Sequence, residues 1–414
     1  MPRKTILPNG IKIVSQHMPH VRSVSMGVWV DVGARDESDE QSGLSHFIEH
    51  MIFKGTTRRS AYDIAKAFDA IGGQTNAFTS TESTCYHARV MDTHLETMVE
   101  ILSDIFLNSM FDPLEVERER PVILQEIGMV EDAPEEYVHL LAGETFWGDH
   151  PLGRSILGTR ENIRSFSADT IKGFFHRFYH PERIVISVAG NLDHDRFVDL
   201  TGPAFAAIRN GQSLPERTTP RIEARNRTHA RHLEQVHLCL ATPGMAITDP
   251  RRFAFSLLNT LLGGNMSSRL FQEIRERRGL AYSVYSFMMS NVDAGMFGVY
   301  AGVGPSDVER TLALIRKQMD RLRHEPVSAD ELRDAKEFTK GNLWLAAESV
   351  DNQMVRLAQN EIHFGNYIPM AQVARSIDAV NAEDLQALAT DLFREDRLCT
   401  TLLGPVETSG VQSP

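Results

Sequence analysis

The chain has 414 residues, 42% of them apolar and 24% charged, a length beyond one ordinary domain and a globular composition that excludes disordered, collagen-like and coiled-coil classes. Asp plus Glu number 55 against 43 Lys plus Arg, and the formal net charge of −12 opposes a phosphate backbone, so nucleic acid is not expected as a partner. Cys85, Cys239 and Cys399 are scattered and form neither a disulfide framework nor a CxxC metal site. With no signal-like start and no apolar run of the ~18 residues a membrane helix requires, the expected setting is cytoplasmic and away from membranes.

Along the chain, the turn Pro8-Asn9-Gly10 leads into alternating Ile11, Ile13 and Val14, and residues 24–32 form a β-branched strand. Helical periodicity covers 44–53 and 62–71, Gly72-Gly73 stops the second helix, and 74–80 reads as a strand. Helices follow over 93–109 and 113–130, then a buried strand over 184–189. Residues 211–228 collapse into Gly, Pro, Thr and alternating charge, the pattern of a linker. Beyond it the order repeats: strand 237–241, helix 252–262, two strands within 288–303, helix 311–322. Residues 111–115 find an echo in 325–331, each introducing a helix. Because strands and helices do not strictly alternate, the expected class is α+β. Two similar domains of about 200 residues, each a mostly antiparallel sheet packed with helices, are placed at 1–210 and 229–414 around the linker.

The chemistry concentrates in His46-Phe47-Ile48-Glu49-His50. At about 100° per helical residue, His50 lies about 40° round from His46 and Glu49 about 60° to the other side. Two imidazoles so placed can ligate one zinc ion while the carboxylate takes a proton from water, the inverted form of H-E-x-x-H. The plain alternative is a solvated helix face. A third ligand is needed, and Glu119 and Glu126 stand seven apart on one helical face; one could ligate and the other orient a ligand, or both could be surface glutamates. Two histidines and a carboxylate also make an iron facial triad, but such a site has no use for Glu49.

The stretch His46 to Thr56 is similar to the active-site helix and following turn of the pitrilysin-type inverted zinc peptidases, and within them to the mitochondrial processing peptidase and its single-chain bacterial relatives. The family's spacing from second histidine to third ligand reaches Glu126, and Glu119 matches a functionally important family position. Gly73-Gln74-Thr75-Asn76-Ala77-Phe78-Thr79-Ser80 resembles the family's substrate-pairing edge strand, which implies substrate contacts at Asn76, Ala77 and Phe78. Leu262 to Leu270 resembles the family's glycine-rich segment; Arg275 and Tyr282 after it resemble the pair sent to the substrate carbonyl, apt donors for an oxyanion. Without the family, Arg275 reads as one charge on a wet helix and Tyr282 as core.

The resemblance covers nearly the whole chain. It implies a zinc endopeptidase acting on unfolded peptides or short polypeptides, with one zinc ion per chain on His46, His50 and Glu126. Glu49 is the implied base, with Glu119, Arg275 and Tyr282 in the catalytic set. A homodimer enclosing a chamber is implied too, the second half of one subunit facing the zinc site of the other. The alternative from another class is an accessory subunit that has lost the zinc machinery. One departure is Pro121, where the family has another residue; it predicts a kink between Glu119 and Glu126. Three further features read as structural: the pair His176 and His180 without an acidic neighbour, the acidic run 131–136, and the cluster Phe287, Met288, Met289, Met296 and Phe297.

Overall fold

The computed structural model describes residues 1–209, 211 and 215–406; part of the expected linker and the C-terminal limits of both expected domains, residues 210 and 414, lie outside the described residues. Two compact units emerge, and they are not consecutive halves.

The first unit comprises Met1–Gly128, Arg154–Arg217 and Leu345–Tyr367. Its sheet holds β1 (Arg3–Ile6), β2 (Lys12–His17), β3 (Ser23–Val30), β4 (Gln74–Thr79), β5 (Thr84–Met91) and β6 (Ile184–Gly190) in the order β1-β2-β6-β3-β5-β4. Only β2 and β6 run parallel. Val24, Met26, Val28 and Val30 face a core shared with the helices Leu44–Met51, Leu95–Asn108 and Ala168–Phe178. Trp29 points to the opposite face, against Val350, Met354 and Leu357 of the helix Val350–Phe364. Cover on both faces is why β3 is buried continuously from Val24 to Val30, Ser25 and Gly27 included, rather than at every second residue.

The second unit comprises Met129–Gly153, Thr218–Trp344 and Ile368–Pro414. Its strands β7 (Asn226–Ala230), β8 (Val236–Pro243), β9 (Ala281–Ser290), β10 (Gly295–Val303) and β11 (Cys399–Gly404) lie in the order β7-β11-β8-β10-β9, with β7 and β11 parallel. Mapping β2 to β6 onto β7 to β11 in chain order reproduces both the neighbours and the single parallel pair. The duplication expected from the repeated pattern is therefore a property of the topology.

The expected cuts near 210 and 229 need correction in one respect. The helix Pro134–Trp147 covers the second sheet, burying Val138, Leu141 and Phe146 against Cys239, Tyr300 and Ala241, while Val350–Phe364 covers the first. Each half thus donates one helix to the other unit, because each sheet has a second apolar face that its own half leaves bare. The copies also differ chemically. The helix Arg252–Leu262, between β8 and β9, carries no His, Asp or Glu. Aligning the helices Pro113–Asp132 and Ala329–Ala346 at their first residues puts Ala335 and Asn342 where Glu119 and Glu126 stand.

His176 and His180 do not pair: their helix ends at Phe178, His176 is exposed and His180 buried. The run 131–136 spans the junction of two helices at Ala133. Met296 and Phe297 are core, whereas Met288 and Met289 are exposed on β9. Among the described residues no helix is long and apolar enough to cross a membrane.

Candidate metal centre

The helix Leu44–Met51 carries the pentapeptide. Leu44, Phe47, Ile48 and Met51 are fully buried, and this apolar stripe leaves His46, Glu49 and His50 on the opposite side. Its first turn is held from outside. Glu37 accepts hydrogen bonds from the backbone N–H of Gly43 at 2.8 Å and of Ser45 at 2.6 Å, satisfying donors a helix cannot satisfy itself. Burial pushes the Glu37 carboxyl up to about 7 despite these donors and nearby Arg154.

His46 and His50 stand with ring centroids 4.6 Å apart and planes at 69°. Glu126 Oε2, from the helix Pro113–Asp132, lies 3.6 Å from His46 Nε2 and 3.4 Å from His50 Nε2. Ligands about 2.1 Å from a tetrahedral ion stand roughly 3.4 Å from one another, so these separations fit the edges of a zinc coordination shell. Among the described residues this is the only group of three such donors, all within 4.8 Å of one another.

The imidazoles are prepared differently. Burial, helped by His50, pushes His46 down to about 3, which keeps it neutral with a lone pair to give. Burial also acts to lower His50, but the carboxylates of Glu119, Glu126 and Glu49 outweigh it and raise it. His50 Nδ1 lies 3.0 Å from Glu119 Oε1; a carboxylate only accepts, so Nδ1 is the donor, which leaves Nε2 as the nitrogen that would face a metal ion. Glu119 is buried, and its other oxygen is 2.5 Å from Lys54 Nζ. Burial would raise its carboxyl, but His50 and Lys54 hold it below the usual range. Pro121 lies within a continuous helix from Pro113 to Asp132, and both glutamates reach the site across it.

Glu49 is half-buried. Its Oε2 accepts the Thr79 hydroxyl at 2.6 Å. Burial raises the carboxyl, and the Thr79 hydroxyl, His50 and the Thr79 backbone N–H only partly pull it back. Thr79 ends β4, which has β5 on one side and, among the described residues, no strand on the other. On β4, Asn76 is exposed, its Oδ1 accepts from Ala77 N–H at 2.9 Å, and the Phe78 ring meets Trp29 edge-on at 5.4 Å.

In the second unit, Arg275 lies on the π-helical segment Phe271–Glu276 and Tyr282 near the start of β9. The guanidinium sits 4.4 Å from the Tyr282 ring centroid and 4.8 Å from that of Phe271, and Nη1 donates to the Tyr282 carbonyl at 2.9 Å. Tyr282 is 79% exposed, so the core reading does not hold. Sequence reasoning gave no role to Lys54, Thr79 or Glu37. Lys54 and Thr79 stand inside the quoted motifs, but the atoms they touch are remote in sequence.

Residues 12–160 match the family described as Insulinase (Peptidase family M16), and residues 165–338 match the Peptidase M16 inactive domain. A Bacillus subtilis protein named an uncharacterized zinc protease is 42% identical over 94% of this chain and 95% of its own. Another of that description, from Streptomyces coelicolor, is 40% identical over 98% of this chain and 90% of its own. The crystal structure of a protease from Helicobacter pylori superposes with a TM-score of 0.92 at 22% identity, covering 98% of this chain and 99% of that one. A structure titled peptidase M16 inactive domain from Pseudomonas fluorescens gives 0.92 at 20% identity over the full length of both. At these identities the two structures speak for the two-domain α+β fold alone.

Proposed function

The chain belongs to the insulinase-type peptidase family M16, in its single-chain bacterial subgroup, with relatives named zinc proteases, and from that premise we propose that this peptidase is a zinc-dependent endopeptidase for unfolded peptides or short polypeptides. The observation that carries the reading is the convergence of His46 Nε2, His50 Nε2 and Glu126 Oε2 with the Glu49 carboxylate beside them.

A single zinc ion held by His46, His50 and Glu126 would supply Lewis acidity toward the scissile carbonyl and acidify water. Glu49 takes the proton of the attacking water and returns it to the leaving amine, a task suited to a carboxyl whose affinity for protons burial has raised. Glu119 acts through His50, fixing its ring and tautomer with Lys54 behind it. That makes it a positioning residue rather than a member of the group that touches substrate. The outer edge of β4 adds the peptide as a further strand, with Asn76, Ala77 and Phe78 alongside it. Arg275 and Tyr282 donate to the carbonyl oxygen as charge develops on it. The working form in this proposal is a homodimer that needs no separate catalytic chain.

The experiment is Glu49→Gln assayed on mixed unfolded peptides with metal content measured alongside. The expected outcome is retained zinc with hydrolysis reduced by roughly 10²–10⁴-fold, the usual contribution of a positioned base. A zinc-loaded wild-type protein that cleaves nothing would instead favour the accessory-subunit alternative.

A further inference from the structure

We infer that Thr79 is a positioning residue for the base, and that through it the sheet edge taking the peptide and the carboxylate activating water are parts of one device. The inference rests on the reading of the site proposed above and adds a residue to it.

Along β4 the side chains alternate. Gln74, Asn76 and Phe78 are exposed, while Thr75, Ala77 and Thr79 are half-buried. Ala77 packs against the core that holds Phe47 and Ile48 of the motif helix. The same alternation turns Thr79 toward that helix, where its hydroxyl donates to Glu49 Oε2 at 2.6 Å.

Two consequences follow from chemistry. A carboxylate oxygen occupied by a donor is a poorer proton acceptor, so the Thr79 bond assigns proton transfer to the other oxygen. Glu49 is also a flexible side chain, and a base must be held within hydrogen-bond reach of the water it serves. Thr79 supplies that restraint from the same strand whose outer edge pairs with substrate. A peptide that lengthens the sheet orders β4 up to its last residue, and the ordered residue is the one that aims the base. The Ser80–Ser83 turn beyond it is pinned by the Ser80 hydroxyl, which donates to Ser83 O at 2.9 Å and accepts from Ser83 N–H at 3.0 Å, so the end of β4 is anchored on its far side too.

The test is Thr79→Val, which exchanges the hydroxyl for a methyl of the same shape, with Thr79→Ser and Thr79→Ala for comparison. For Val we expect kcat to fall about 10- to 100-fold, the loss typical of a displaced catalytic group. KM should stay within about twofold and zinc content unchanged, and a fluorescein-labelled peptide should bind the metal-free variant as it binds the metal-free wild type. Ser restores kcat to within about threefold, and Ala behaves as Val does. In a Glu49→Gln background, Thr79→Val adds no further loss, because a residue acting only through Glu49 has nothing left to position. Wild-type kcat in the Val variant, a loss that Ser does not repair, or additive losses in the double variant would each overturn the assignment. If the Val variant fails to fold, the Ser and Ala pair carries the same comparison. A Glu49→Gln variant as active as wild type would overturn the reading of the site, and the role of Thr79 with it.

Discussion

Glu119 Oε1 stands 3.0 Å from His50 Nδ1, although Pro121 interrupts the hydrogen-bond ladder of the helix that also carries Glu126. Proline removes one backbone donor and crowds the preceding turn. The helix nonetheless continues to Asp132, and Ile123 and Ile127 bury its inner face beyond the proline. Packing rather than the local ladder therefore fixes the two carboxylates.

From that geometry comes a prediction about affinity. Glu119→Gln can still accept from His50 but loses the charge shared with Lys54, and Glu119→Ala loses both. Zinc affinity, read by competition with a chromogenic chelator, should fall about 10- to 100-fold for Ala and less for Gln. At saturating zinc, kcat of the Gln variant should recover most of the wild-type value. A variant whose kcat stays low at full metal occupancy would show Glu119 acting on the reaction itself.

Glu37 makes a prediction about pH. Its carboxyl is pushed up to about 7 by burial, from an ordinary value of 4.5. A group whose folded pKa is raised binds protons more tightly in the fold than out of it. Its contribution to stability is fully present below about pH 4.5 and is lost as pH rises toward 7, a difference of roughly 3 kcal/mol at 1.36 kcal/mol per pKa unit. Glu37→Gln cannot ionise. Subtracting its unfolding free energy from that of wild type by urea titration across this range should give a curve that declines with pH and levels off above about 7. A flat difference curve would mean that the buried carboxyl stays ionised throughout.

The start of the motif helix depends on a close backbone approach. Gly158 has φ of +74°, and a Cβ there would lie 2.3 Å from Ser42 O and 2.6 Å from Gly43 Cα. Neither neighbour can yield, since both are backbone. Gly158→Ala should lower stability by more than about 2 kcal/mol, combining steric overlap with an unfavourable φ. It should also weaken zinc binding, because Gly43 precedes the helix that carries His46. A variant that melts with wild type would mean that the loop at 158 can move away freely.

How much of this was legible beforehand follows from distance along the chain. His46, Glu49 and His50 lie within two helical turns, so periodicity alone puts them together. Glu126 was reachable only through the family's spacing, because nothing local connects it to His50. The helices Pro134–Trp147 and Val350–Phe364 show apolar stripes, Val138, Leu141 and Phe146 in one and Val350, Met354 and Leu357 in the other. A stripe says that a helix covers something without saying which sheet, so the exchange of helices was invisible. Without the family Tyr282 reads as core, as an aromatic residue in a strand pattern does, whereas in the structure it is 79% exposed with the Arg275 guanidinium against its ring. Thr79 was hidden for a related reason: its partner lies thirty residues away.

The proposed homodimer can be tested through the same Arg275. If Arg275 and Tyr282 of one subunit serve the zinc site of its partner, Glu49→Gln and Arg275→Ala damage different sites of a mixed dimer. The Arg275→Ala subunit keeps an intact base and would receive its donors from the Glu49→Gln subunit, which has them. Each variant alone should be impaired, Arg275→Ala by about 10²-fold or more, the scale seen when one oxyanion donor is removed. Mixing the two under exchange conditions should recover up to about a quarter of wild-type activity, since half the dimers are mixed and one site in each is whole. Failure to recover activity while native mass spectrometry shows mixed dimers would rule out donation between subunits, and a fully active monomer at high dilution would remove the dimer from the proposal altogether.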